Sequence, residues 1–230
     1  RQKFYLSLGR TLLYTVCTLP FRVIIPLLVA VLLCSKRVAG KSLTRTMVYI
    51  PVLMSALVVG ITINWMFSQE YGLVNFIIRS LGGTALEWSL NPRLATFVIA
   101  FASVWASIGF NMILYIGGIN SISNDLYEAA TIDGASGVQA FFRITVPMLA
   151  PTTFMVVLLS TVNLLKEYAL VQGITQGGPG LSTTFIIQYI FDKGFNQMQY
   201  GYASAISTVV MIIFALIAFA QFKVNNGGET

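Results

Sequence analysis

Arg22, Lys166 and Glu167 stand inside long apolar runs, where ionised side chains are rare. A charge at the centre of a lipid-facing helix costs at least about 2.5–3.5 kcal/mol, so each should face protein or a wet cavity. Lys166 and Glu167 are adjacent and point about 100° apart on a helix, so they are poorly placed to pair with each other. Arg22 lies between Pro20 and Pro26 and can reach a carboxylate or a freed carbonyl on a neighbour. Two chemistries follow: a polar fastening between helices, or the lining of a path for a polar solute. A hydroxyl-rich solute wants polar groups beside an aromatic face. Asn163, Lys166, Glu167, Tyr168 and Gln172 supply them within NLLKEYALVQ, with Asn64 and Trp65 as further candidates.

Reactive constellations are missing. The chain has no His, which excludes an imidazole base and a His-ligated metal, so neither a catalytic nor a metal site is expected. Cys17 and Cys34 lie on one predicted helix roughly 25 Å apart at 1.5 Å per residue, too far to pair, and read as two buried thiols. The AGKS at Ala39–Ser42 has Ser35 where a phosphate loop needs its first glycine. The chain itself is not expected to hydrolyse ATP.

These groups are held in an apolar chain. Only 10% of the 230 residues are charged and 56% are hydrophobic, with a mean hydropathy of +0.78. Soluble domains carry roughly 25% charged residues, so this is an all-α membrane protein, a polytopic helical bundle in one domain, 1–230. Five stretches are long enough to span: Thr11–Cys34, Thr46–Phe67, Leu94–Ile119, Met148–Gln172 and Gly201–Phe222. Pro20, Arg22 and Pro26 predict a kink or break in the first. The net charge of +6 is scattered and fits membrane orientation better than nucleic acid. Lys36, Arg37, Lys41 and Arg45 in the first loop face it to the cytoplasm, together with the insert at about 120–147 and the C-terminal tail, whereas Arg1, Lys3 and Arg10 fall on the outer side against the rule. Ser68–Arg93 and Gly173–Tyr200 then face outward. In the former, Tyr71, Phe76, Ile77, Ile78 and Trp88 predict an interfacial helix with an aromatic anchor. In the latter, QGGPG marks a tight turn, followed by a segment that re-enters or lies along the surface. A start at Arg1 implies a missing N-terminal piece.

The insert reads as two short helices. Ser123 caps the first, Asp125 and Glu128 favour its N-terminal dipole, and Gly134 stops it. Ser136 and Gln139 form a capping box for the second. Leu126, Ala129, Ala130 and Asp133 share one side, a small-residue face suited either to a groove on another protein or to the bilayer surface. Glu128-Ala129-Ala130, then Gly134, Ile144, Val146 and Pro147, resembles the signature loop of ABC importer permeases, departing only at Val146, where Leu is usual. TQGGPGLSTTF, YGYASAIS and NWMFSQEYGLVNFI are similar to the carbohydrate branch, the maltose and glycerol-phosphate type.

That resemblance implies a type I permease fold with one more N-terminal helix and a coupling helix built from Leu126, Glu128, Ala129, Ala130, Asp133, Gly134 and Ala135. It implies a second permease, two ATPase subunits that hold ATP and Mg, an extracytoplasmic binding protein and surrounding membrane lipid. An uncharged sugar or oligosaccharide is the expected substrate, with glycerol phosphate or another polar solute as the alternative. An ion-coupled secondary carrier is the rival of another class, but such folds show two related halves, and no doubling is visible here.

Overall fold

The computed structural model describes residues 2–35 and 40–226, and its regular elements are all helical. Arg1, Lys36, Arg37 and Ala39 lie outside the described residues. The helices are α1 (Gln2–Cys34), α2 (Lys41–Leu53), α3 (Ala56–Met66), α4 (Leu73–Ser80), α5 (Pro92–Asn120), α6 (Asn124–Ile132) and α7 (Gly137–Met148). They continue with α8 (Ala150–Leu165), α9 (Ala169–Ile174), α10 (Ile186–Phe191) and α11 (Tyr200–Asn226). α1, α5 and α11 are long and apolar enough to span alone. The pairs α2–α3 and α7–α8 are bent by 100° and 66°, each a broken span or a re-entrant loop, so the described residues hold three unbroken spans and up to five in all. The predicted stretch Met148–Gln172 is divided between α8 and α9.

The bends do not fall where the prolines of the first span predict. α1 runs unbroken through Pro20 and Pro26. Pro26 has no N–H for the carbonyl of Arg22, four residues back. Asn111 Nδ2 on α5 donates to that carbonyl at 2.9 Å instead, so the helix continues without an orphaned acceptor.

α1 and α5 lie side by side and run the same way, Arg22 meeting Ser103 and Asn111. Further along, Ala30 and Leu33 share a cluster with Met112, Tyr115 and Ile122, against which Cys34, Tyr127 and Ile144 pack. The C-terminal end of α1 and the α6–α7 insert therefore occupy the same end of the bundle, as the orientation expectation requires. At the other end, Tyr14, Val98 and Ile99 pack with Phe67, Trp88, Leu170 and Phe185.

Lipid is as apolar as leucine, so helices in a membrane associate through close packing and polar bonds. Both devices are present. A Cβ on Gly60 of α3 would lie 3.0 Å from the Gly173 Cα of α9, and one on Gly109 of α5 would lie 2.7 Å from the Val48 carbonyl oxygen of α2. Gln221 Nε2 of α11 donates to Thr161 Oγ1 of α8 at 2.8 Å.

The outer connections are ordered. α4 presents Phe76 and Ile77 outward, as an interfacial helix would, but Trp88 is buried rather than an exposed anchor. Its Nε1 donates to Asn75 Oδ1 at 3.0 Å, and its ring meets Phe67 edge-on at 5.0 Å. An indole N–H needs a partner once buried, and Asn75, itself 0% exposed, supplies it. The QGGPG turn forms, with positive φ at Gln176, Gly177 and Gly180. The segment after it does not lie along the surface: α10 packs inside, Ile186 and Tyr189 clustering with Ile206 and Val210 of α11.

Candidate functional site

Two regions carry the predicted site residues. At one end of the bundle α6 has no buried residue at all, and its shape is fixed by its own sequence. Ser123 Oγ accepts from the Asp125 amide at 3.2 Å. Gly134 has φ 75°, which a side chain would strain. With that turn the Ala135 amide donates to the Ala130 carbonyl at 2.8 Å and the Gly134 amide to the Thr131 carbonyl at 3.1 Å, the bond pair of a Schellman stop. α7 starts with the expected capping box: the Gln139 amide donates to Ser136 Oγ at 3.3 Å, and the Ser136 amide to Gln139 Oε1 at 2.8 Å. Tyr127, half-buried, ties α6 to α7 through its hydroxyl, 2.9 Å from Thr145 Oγ1.

The face α6 offers differs slightly from the expected one. Leu126, Glu128, Ala129, Asp133 and Gly134 are exposed, whereas Ala130 and Ala135 are half-buried. Ala130 is three residues from Tyr127, so it shares the side turned to the protein. Ile132, 86% exposed, joins the outer face. Its place three residues after Ala129 was the signal, and the sequence reading passed over it.

The second region is the interruption between α8 and α9. Its helical bonds run out at Lys166, and Tyr168 has φ −138°. Here Glu167 turns inward to Arg22, Oε2 to NH2 3.8 Å, with side chains 10% and 7% exposed. Arg22 thus reaches a carboxylate, and it also donates to Ser103 Oγ at 2.5 Å. Asn111, which satisfies the Arg22 carbonyl, donates at 3.2 Å to Ser160 Oγ of α8 as well. Ser103, Asn111 and Ser160 were missed by sequence reasoning; single polar residues in apolar spans were the available signal. The remaining path candidates divide. Asn64, Trp65, Asn163 and Lys166 are exposed on the chain's surface. Tyr168 and Gln172 are half-buried, Tyr168 lying 5.1 Å from the Phe191 ring and Gln172 Oε1 accepting from Gln188 Nε2 at 3.1 Å. The cysteines are not both buried: Cys17 is exposed on α1, and only Cys34 is partly covered.

The described residues thus hold an exposed, doubly capped helix at one end and a polar break deep in the bundle. The family described as the inner membrane component of binding-protein-dependent transport systems matches residues 2–226. The chain belongs to that family. This permease component is a multi-pass inner-membrane protein of the ABC transporter class. It is 31% identical over 227 residues to the arabinooligosaccharides permease AraP of Bacillus subtilis (strain 168), covering 96% of this chain and 72% of the relative. It is 32% identical over 224 residues to the trehalose/maltose permease MalF of Thermococcus litoralis, covering 97% of this chain and 75% of the relative. The crystal structure of a bacterial ABC transporter importing the acidic polysaccharide alginate shares the fold: TM-score 0.89 at 23% identity, covering 98% of this permease and 80% of that chain.

Proposed function

We propose that this permease forms half of a transmembrane path for a sugar or oligosaccharide, a second homologous permease supplying the other half. Two ATPase subunits dock at the cytoplasmic end and hold the ATP and Mg that this chain does not bind. An extracytoplasmic binding protein delivers the solute at the opposite end, and lipid covers the remaining surface. ATPase closure moves α6, and the bundle alternates between inward- and outward-open forms. The observation that carries this reading is α6 itself: a helix without buried residues, yet held by caps at both ends and by Tyr127. A helix fixed so firmly while packing so little against its own protein is built to pass a push.

The path is assigned to the exposed polar face of the broken spans. Asn64, Asn163 and Lys166 would be costly against lipid, so they face the partner permease or water, with Trp65 beside them. Glu167 serves the Arg22 fastening first and the path second. The sugar assignment follows the relatives, whose names refer to arabinooligosaccharides and to trehalose and maltose. Lys166, an exposed cation without an acid partner among the described residues, supports glycerol phosphate as the second reading. Membership of this family removes the ion-coupled carrier.

The test is uptake into proteoliposomes carrying the complete transporter and binding protein. Labelled oligosaccharides, neutral and uronate-bearing, are compared with labelled glycerol 3-phosphate. ATP-dependent uptake of a saccharide is expected. Uptake of glycerol 3-phosphate alone moves the assignment to the second reading, and uptake that ignores ATP contradicts both.

A further inference from the structure

A recess of about 630 Å³ opens between the first turns of α1, the end of α9 and α10. It lies at the start of α1, the end of the bundle remote from α6. Gln2, Gln172, Gln176, Gln188, Asn196 and Gln197 bring six carboxamides to its wall. Gln188 is 6% exposed, and while its Nε2 donates to Gln172 Oε1 at 3.1 Å, its Oε1 has no hydrogen-bond partner among the described residues. The space is far larger than the roughly 30 Å³ share of one water. A row of ring hydroxyls matches it in size and in kind. Phe191, 38% exposed, and Tyr189 add aromatic surface on the same wall.

The charge of this recess is not balanced. Lys3, Arg10 and Lys193 line it, with Asp192 as the one acid. Both oxygens of Asp192 are already engaged, accepting from Asn196 Nδ2 at 3.1 Å and Gln197 Nε2 at 2.7 Å. Two of the cations are held by neutral groups: Lys193 donates to Gln197 Oε1 at 2.5 Å, and Arg10 donates to the Leu181 carbonyl. None of the three has an acid partner, because Arg22–Glu167 is the ion pair found among the described residues. With α6 at the cytoplasmic end, this is the outer end, where Lys and Arg are normally depleted. Three of them around one amide-lined recess call for a ligand that uses them.

We propose that this recess is an outer entry subsite for a carboxylate-bearing saccharide. Ring hydroxyls meet the Gln172, Gln188 and Asn196 amides, and the carboxylate meets Lys3, Arg10 and Lys193 in charge-assisted bonds. The inference rests on the import reading above and narrows its substrate from sugars in general to acidic ones, against the uncharged sugar expected from sequence.

The test uses the assembled transporter in lipid nanodiscs without the binding protein. The probes are digalacturonate and galactobiose, which differ in carboxylate against hydroxymethyl. Digalacturonate should bind at least about tenfold more tightly. The Lys3→Gln/Lys193→Gln variant should erase that difference and leave galactobiose unchanged, whereas Gln188→Leu should weaken both. Equal binding of the two probes, binding of neither, or indifference to the lysine changes overturns the proposal. ATP-driven saccharide uptake by the same preparations with the binding protein restored is read separately. If uptake persists while the subsite fails, the import reading stands alone; if no saccharide is taken up, that reading has failed.

Discussion

Pro26 removes an amide hydrogen from the middle of α1, and a single asparagine on another helix makes up the loss. The neighbouring Arg22–Glu167 pair shows what the sequence could and could not give at this scale. That Arg22 needs a carboxylate or a carbonyl follows from burial cost alone. Which carboxylate it meets depends on how α1 packs against the α8–α9 break, and no local pattern encodes that. Removing one partner of a buried pair leaves an uncompensated charge and costs about 3–5 kcal/mol. Arg22→Gln should therefore lower the thermal midpoint of the solubilised transporter sharply, and adding Glu167→Gln should recover much of the loss. Equal midpoints for the single and the double variant would show that the two side chains are not coupled.

Helix ends were far more legible than helix bends. Ser123, Gly134, Ser136 and Gln139 act on amides within a few residues, so their caps could be read directly and are found as read. The 100° bend between α2 and α3 follows Pro51, and beyond it Gly60 brings α3 against the backbone of α9. Such a crossing joins elements distant in sequence and leaves only two glycines as its trace. The α8–α9 break divides the path candidates, and this is open to measurement. In a background lacking Cys17 and Cys34, cysteines at 163 and 166 should react quickly with a membrane-impermeant thiol reagent. Cysteine at 167 should react at least about tenfold more slowly, since Glu167 is turned inward, its side chain 10% exposed. Equal rates at 166 and 167 would contradict the division.

For the whole molecule, composition alone placed the chain in a membrane, and three of its five apolar stretches form unbroken spans, because both depend on summed hydropathy rather than on pairing. On the proposed reading, an ATPase-driven push at α6 passes through Tyr127 and Thr145 into α7 and then across the 66° bend into α8. That transmission is the central claim, and Ala129→Arg tests it most directly. Ala129 is exposed and small, so the variant should fold and reach the membrane at normal abundance while blocking close approach to α6. Co-purification of the ATPase and ATP-dependent uptake should both fall by at least about tenfold. Normal uptake and normal ATPase association at normal abundance would contradict the account.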